Sequence, residues 1–404
     1  MARMYRLIAV LLAAAALLPA AAQAAGPSAT RSALASQMRY AGGGSGALAV
    51  DLDSGRQIFA SRPDAARMPA SVNKLFTTAT ALVLYGPDGH LTTRALGDVG
   101  VDPGGVLIGN LYLKGGGDPY FGSAQAAALA DELFYDQGLR EVTGRVVGDE
   151  SAFDGLRGTI SEGYRVTSEV GPLSALTFNR GRSGKRRPWF QKSPARFAAR
   201  EFTKALRRRG VVVGGATKVG RTPEGALSLV EQRSATLAQL SRLTNVPSDN
   251  FNAEMLIKGL GAEFGTTGST SAGTVVVRRT MAGFGLSPRL VDGSGLSRGN
   301  RTSPREVVQL LEHMTSETAG PAFEASLPVA GRSGTLSDRM RRTAARDRCQ
   351  AKTGTLRDVS ALAGYCTTTG DAHVAFAILM NGVYPYSARR LQDRMLSALA
   401  RYQP

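Results

Sequence analysis

The sequence predicts a mixed α/β (α+β) chain in which one helix-and-strand unit is interrupted by a β-rich insertion. Two observations carry this. Segments of helical period sit beside strand-like runs on both sides of the chain's middle. Between about residues 91 and 235 the character changes to short strand-like stretches joined by glycine-rich turns. The expected division is a leader at 1–24, one split unit at 25–90 and 236–404, and an inserted domain at 91–235.

The leader is read from three features. Arg3 and Arg6 give a charged start, Leu7 to Leu18 is apolar throughout, and Ala22-Gln23-Ala24 is a small-x-small cleavage pattern. Cleavage is expected near Ala24-Ala25, which makes the chain a secreted or cell-envelope protein. No cysteine follows the apolar run, so no lipid anchor is expected. No later segment has the uninterrupted apolar length of a spanning helix, so no integral membrane anchor is expected either.

The elements follow in order. Residues 25–45 form a small-residue lead, helical around Ser32 to Arg39. "GALAVDLDSGRQIFA" (46–60) alternates and turns at Asp53-Ser54-Gly55, which predicts a hairpin. "PASVNKLFTTATAL" (69–82) reads as a helix with Ser71 in its cap or first turn, because Leu75, Phe76, Ala79, Leu82 and Val83 recur at helical spacing. In the insert, "VLIGNLYLKGGGDPYF" and "VTGRVVGDESAFDG" read as strands, and a helix runs from about Ser193 to Arg209 with Gly210 past its end. Helical patterns return in "ATLAQLSRLTN", "NFNAEMLIKGLGAEFG", the run at 271–284 and "SPREVVQLLEHM". A hairpin around Cys349 and Cys366, the strand "HVAFAILMNG" and the amphipathic helix "SARRLQDRMLSALARY" close the chain.

Cys349 and Cys366 bracket a strand-turn-strand pattern. A hairpin turning between Arg357 and Asp358 sets them directly opposite each other on one face, in reach of a bridge. Export permits that bridge. A disulfide that pins the hairpin register is expected; two separate buried thiols are the alternative.

The formal net charge is +17. Nucleic acid binding is compatible with such a charge, but expected export and the lack of aromatic residues among the basic stretches argue against it. An anionic wall polymer or lipid headgroup suits an exported chain better, and a solubilising surface suffices. Residues 180–210 carry 12 basic residues and one acid, Glu201. They fit a solvated face, or contact with anionic wall polymer. Only eight of the 49 basic residues are lysine. A buried lysine can lose its proton and arginine effectively cannot, so base chemistry is sought at the lysines. Lys74 and Lys352 stand in motifs; the other six read as ordinary surface lysines.

Three short motifs occur in order: "SVNK" at 71–74, "SDN" at 248–250 and "KTGT" at 352–355. Alone, Ser71 and Lys74 fit a capping serine and a lysine that snorkels to water. Together the motifs describe a nucleophile and its base. A serine hydroxyl needs a base to take its proton, and Lys74, one helical turn on, can serve if burial and a second cation lower its pKa. Lys352 is the natural second cation, and it offers charge to a substrate carboxylate beside the Thr353 and Thr355 hydroxyls. The N–H groups of Ser71 and Thr355 can form an oxyanion hole. Ser248 can relay a proton to the leaving group, and Asn250 can hold Lys74 and a substrate amide. His90, His313 and His373 lie in no site-like context and no GxSxG elbow occurs, so a Ser-His-Asp hydrolase is not expected.

With these motifs the chain resembles the serine D-alanyl-D-alanine carboxypeptidases/endopeptidases of the low-molecular-mass class C penicillin-binding proteins. The resemblance also rests on "GNLYLKGGGDP" (109–119), "DGSGLSRGNR" (292–301), "PVAGRSGTLSDRM" (328–340) and "VSALAGYC" (359–366), and it covers nearly all the chain after the leader. It implies a penicillin-binding-protein/β-lactamase-like transpeptidase fold: an antiparallel five-stranded sheet flanked by helices, a helical lobe, and Ser71 between them. It implies a catalytic domain split between the first two motifs, here 177 residues apart. That interval looks too short for the second, nested insert of longer members, so this insert is expected to be absent or reduced. The implied reaction is acyl transfer on peptidoglycan stem peptides ending in D-Ala-D-Ala, with cross-link cleavage as a further activity. The catalytic residues are then Ser71, Lys74, Ser248 and Asn250, and the substrate-binding residues Lys352, Thr353, Gly354 and Thr355. Asp154, after "GDESAF", is the candidate for a diaminopimelate-type amine, with a simple turn aspartate as the alternative. β-Lactam antibiotics are implied covalent inhibitors. No metal or organic cofactor is implied.

Two rivals remain. A class A β-lactamase carries a deacylating glutamate about 36 residues after the SDN serine; position 284 here is Phe and no such motif is near, so slow penicillin turnover is expected. A non-catalytic wall-binding protein would use the arginine-rich insert alone.

Overall fold

The computed structural model describes residues 25–184 and 189–404. The expected leader lies outside them, as do Lys185, Arg186 and Arg187 of the basic stretch.

The framework is a five-stranded antiparallel sheet in the order Cys349–Leu356, Val359–Thr367, His373–Asn381, Ser45–Asp51, Gln57–Ser61. The central strand His373–Asn381 reads as a continuous apolar run because both its faces are covered. Val374, Phe376 and Ile378 pack with Leu34 and Leu396 of the terminal helices Pro27–Tyr40 and Pro385–Leu399. Ala375, Ala377 and Leu379 face the opposite core, with Phe76, Leu256 and Leu311. Successive strand side chains point to opposite faces, so one strand serves two cores. The second core belongs to a helical lobe that includes Lys74–Tyr85, Leu237–Asn245, Asn250–Phe264, Thr270–Gly283 and Pro304–Ser316. The expected hairpin at 46–60 forms, as does the C-terminal one. Cys349 is paired in register with Cys366, and the two are bonded.

Residues 91–235, the division we propose for the insert, enter and leave through neighbouring strands. Thr92–Gly97 pairs antiparallel with Leu227–Arg233, and Ser234 N donates to Leu91 O at 2.8 Å. Leu111–Lys114 pairs in parallel with Val146–Asp149, across a connection that carries the helix Ser123–Tyr135. This helix was not expected. Its signal was present, since Ala126, Leu129, Ala130 and Leu133 recur at helical spacing and are buried. With Pro194–Arg208 it covers the insert's sheet, through Leu129, Leu133, Phe202 and Leu206.

Candidate active site

The sequence around Ser71 folds as a tight 3-10 turn, Ala70–Asn73, that passes directly into the helix Lys74–Tyr85. The turn begins with Ala70 at φ 48°, a left-handed value unusual for a residue with a Cβ. Ser248 shares this feature, at φ 62°. Strained backbone thus stands within the SDN motif and immediately before the SVNK motif, and it persists only where surrounding contacts fix it.

Those contacts explain the threonine-rich run. Asn73 Nδ2 donates to Asp292 O at 2.8 Å, and Thr77 Oγ1 donates to Gly293 O at 2.9 Å. Thr78 Oγ1 donates to Lys74 O and accepts from Asn245 Nδ2 at 3.0 Å, which ties the helix to the segment before the SDN motif. The loop 292–295 is strapped to the helix, and its closeness demands glycine. A Cβ on Gly295, at φ 85°, would stand 2.0 Å from Ala70 O.

Lys74 is fully buried and makes three hydrogen bonds. Its Nζ donates to Ser71 Oγ at 2.9 Å, to Asn250 Oδ1 at 2.8 Å and to Ser294 O at 2.6 Å. When the amine is neutral, Asn250 and Ser294 can hold its two protons and leave the lone pair for the Ser71 hydroxyl. Burial pushes the Lys74 pKa down to about 8, against the opposing pull of Asp292, Glu254 and Asp249. Glu254 and Asp292, absent from the sequence reading, support this arrangement. Glu254 Oε1 accepts from Gly293 N and Ser294 N, at 3.1 and 2.8 Å, and fixes the carbonyl that meets Lys74. Burial and the neighbouring Asp292 raise the Glu254 pKa to about 7. Burial raises Asp292 as well. The "DGSG" run was visible in the sequence, but nothing there assigned its partner on another helix.

Lys352 is also fully buried. Its Nζ donates to Ser248 Oγ and to Thr353 O, each at 2.8 Å. Burial drives its pKa well below the usual lysine value, and the charge of Lys74 pushes it further down. The influence expected of Lys352 on Lys74 is thus dominated by burial, and the repulsion registers on Lys352. Gly354 lets the strand touch the serine turn: a Cβ there would stand 2.5 Å from Pro69 O and 3.1 Å from Ser71 N.

A cavity of about 730 Å³ opens on Ser71, with Glu169, Ser248, Asn250, Thr353 and Thr355 in its wall. The fold therefore gathers Ser71, Lys74, Ser248, Asn250, Lys352, Thr353, Gly354 and Thr355. It does not bring Asp154 to them. Asp154 faces a separate cavity of about 750 Å³ between the insert and the helical lobe, where its carboxylate pairs with Lys258. Lys258 is only 1% exposed, not the surface lysine expected. The insert instead sends Glu169 to the Ser71 cavity, 3.5 Å from Asn250 Nδ2. Arg180 crosses the same boundary, pairing with Asp249 at 2.6 Å and donating to Asn252 at 3.1 Å. One member of the basic stretch thus clamps the insert to the SDN motif.

The chain is similar to known proteins in sequence and in fold. The sequence profile of the D-Ala-D-Ala carboxypeptidase 3 (S13) family matches residues 30–182 and 182–402. A D-alanyl-D-alanine carboxypeptidase from Actinomadura sp. is 30% identical over 440 aligned positions, covering 89% of this chain and 81% of that protein. Carboxypeptidase DacB of Mycolicibacterium smegmatis is 31% identical, covering 87% and 79%. Penicillin binding protein 4 (dacB) from Haemophilus influenzae superposes with a TM-score of 0.78 at 22% identity, over 92% of this chain and 99% of that one. The same protein complexed with a novel β-lactam superposes at 0.75 with 20% identity and the same coverage.

Proposed function

The chain belongs to the D-Ala-D-Ala carboxypeptidase 3 (S13) family and is a serine D-Ala-D-Ala carboxypeptidase, and on that premise we propose how its residues divide the work. Ser71 is the nucleophile and neutral Lys74 its base. The observation that carries this is the Lys74 amine, held by Ser71 Oγ, Asn250 Oδ1 and Ser294 O inside 3 Å.

Ser71 Oγ attacks the carbonyl carbon of the penultimate D-Ala as Lys74 takes its proton. The N–H groups of Ser71 and Thr355 receive the developing oxyanion. Ser248, hydrogen-bonded to Lys352, passes its proton to the departing amine and is reprotonated by the Lys74 ammonium, which returns Lys74 to its neutral form. The C–N bond breaks, D-Ala leaves, and water then hydrolyses the acyl-enzyme. Thr353 and Thr355 meet the carboxylate end of the substrate. A β-lactam mimics that end and acylates Ser71.

The same site suits D-Ala cross-links as well as free stem-peptide ends. For an amine on the third residue of the stem, the carboxylates in the cavity wall are Glu169, Asp338 and Asp393 rather than Asp154, and of these Asp338 and Asp393 are paired with Arg341 and Arg339, which leaves Glu169. An anionic wall polymer is a further partner suited to the exposed charge at Arg182, Lys192, Arg196, Arg207 and Arg208. An extracytoplasmic site of action fits a peptidoglycan substrate and the leader-like residues 1–24. No helix among the described residues is long and apolar enough to cross a membrane.

The test is gel labelling with a fluorescent penicillin, beside D-Ala release from an acyl-D-Ala-D-Ala tripeptide. A stable label and D-Ala release by the wild type, both lost in Ser71→Ala and Lys74→Ala, are expected. A label that survives Ser71→Ala overturns the assignment. Rapid turnover of a chromogenic β-lactam would favour the β-lactamase rival, and wall retention without either activity the wall-binding one.

A further inference from the structure

The proposed reaction requires recognition of a free carboxylate beside the scissile bond, and among the motif residues Lys352 is the one that offers charge for it. The geometry points elsewhere. The Lys352 amine is fully buried and committed to Ser248 and to its neighbour's carbonyl. In that surrounding its charged form is disfavoured. A carboxylate in the cavity needs a cation that keeps its charge, and arginine is that residue.

Three arginines line the Ser71 cavity: Arg339, Arg389 and Arg390. Arg339 is spoken for, by Asp393 at 2.7 Å and Gln392 at 3.2 Å. Arg390 makes no side-chain hydrogen bond or ion pair among the described residues. Arg389, on the second turn of the Pro385–Leu399 helix, reaches across to the KTGT strand, and its Nη2 donates to Thr355 Oγ1 at 3.1 Å. It has no carboxylate partner among the described residues. A hydroxyl that accepts from a guanidinium keeps its own proton for a further acceptor. The guanidinium's remaining N–H groups form a planar fork suited to a carboxylate.

We infer that Arg389 is the specificity-determining cation of this site: with Thr355 it forms a two-point clamp for the free α-carboxylate of the leaving residue. This rests on the acyl-enzyme reading given above and adds a residue from the C-terminal helix that none of the three motifs contains. The clamp sits on the leaving-group side of Ser71. A leaving residue whose carboxylate is blocked loses it, whether that residue is terminal D-Ala or the D-centre of a cross-link.

The experiment compares two matched acyl donors, an N-acyl-D-alanyl thioglycolate with a free carboxylate and the corresponding carboxamide. The readout is the acid-to-amide ratio of kcat/KM, which a merely structural lesion does not move. Wild type is expected to favour the acid. Arg389→Gln is expected to lower the ratio about 10- to 100-fold, the size of a lost charge-assisted hydrogen bond, and Arg389→Lys to restore much of it. A ratio unmoved by Arg389→Gln overturns the proposal, as does an equal effect from Arg390→Gln. A wild type that discriminates acid from amide yet takes no penicillin label would sink the acyl-enzyme reading and leave the clamp standing. A labelled wild type whose ratio ignores Arg389 does the reverse.

Discussion

Gly354 and Ser71 are in backbone contact: a Cβ on Gly354 would stand 3.1 Å from Ser71 N and 2.5 Å from Pro69 O. Gly354 does not adopt a left-handed φ, so space rather than conformation requires the glycine. Gly354→Ala is expected to fold with stability lowered by about 1–3 kcal/mol, the usual cost of overpacking, and to force the KTGT strand off the serine turn. Misplacement of an ångström at a reacting centre is worth about 10²-fold, so penicillin acylation should slow by about that factor. A wild-type acylation rate in this variant would mean the strand need not touch the turn.

The pH profile of acylation should report Lys74. With Lys74 as the proposed base the reactive form is the neutral amine, so the rate is expected to rise with pH along a limb centred near about 8. Negative charge on Glu254 favours the protonated amine and so raises this value. Glu254→Gln keeps an acceptor for Gly293 N and Ser294 N but removes the charge. The limb is therefore expected to move to lower pH, measured as second-order acylation rate between pH 5 and 10. Movement to higher pH would contradict the sign of the coupling.

The Cys349–Cys366 bond closes a loop of 17 residues' separation. Loops of that size contribute about 2–4 kcal/mol, chiefly by constraining the unfolded chain. Paired Cys349→Ala and Cys366→Ala substitution should lower stability by that amount in urea unfolding. Labelling of Ser71 under native conditions should persist, because the bridge lies at one end of its strand and Thr355 near the other. Native protein should take up no alkylating agent without reductant.

Asp154 and Glu169 should separate by experiment. Asp154→Asn removes the ion partner of a lysine that is almost wholly buried, and breaking such a pair costs about 3 kcal/mol. Its effect is expected in thermal unfolding, not in substrate choice. Glu169→Gln should leave the melting temperature in place. It should lower, about tenfold, the kcat/KM preference for a stem peptide with a free third-residue amine over its acetylated form.

The catalytic motifs and the main unit were legible because their signals are local. Ser71 and Lys74 face each other through helical spacing alone. The Cys349–Cys366 pairing follows from counting along one hairpin. The terminal helices and the apolar strand His373–Asn381 announce themselves by period and composition. What was missed depended on partners far along the chain. Lys258 looks like any surface lysine in "EMLIKGLGAEF", and only packing of the insert against that helix buries it. Asp154 looked plausible by its place in a loop, but a loop's position in sequence does not fix the cavity it faces.

By itself, then, the sequence carried the reaction class, and it singled out the residues proposed here as nucleophile, base and completing strand. Each rests on residue type and short-range spacing, which covalent geometry converts directly into proximity. Only the tertiary structure decided the protonation balance and the substrate-facing wall. Burial of Lys74 among Asp292, Glu254 and Asp249 sets its proton affinity, and those groups lie 175 or more residues away. Glu169 from the insert and Arg389 from the last helix reach one cavity only because the sheet, the lobe and the insert pack around it. Desolvation and charge depend on what surrounds a group in space, and no spacing along the chain encodes that.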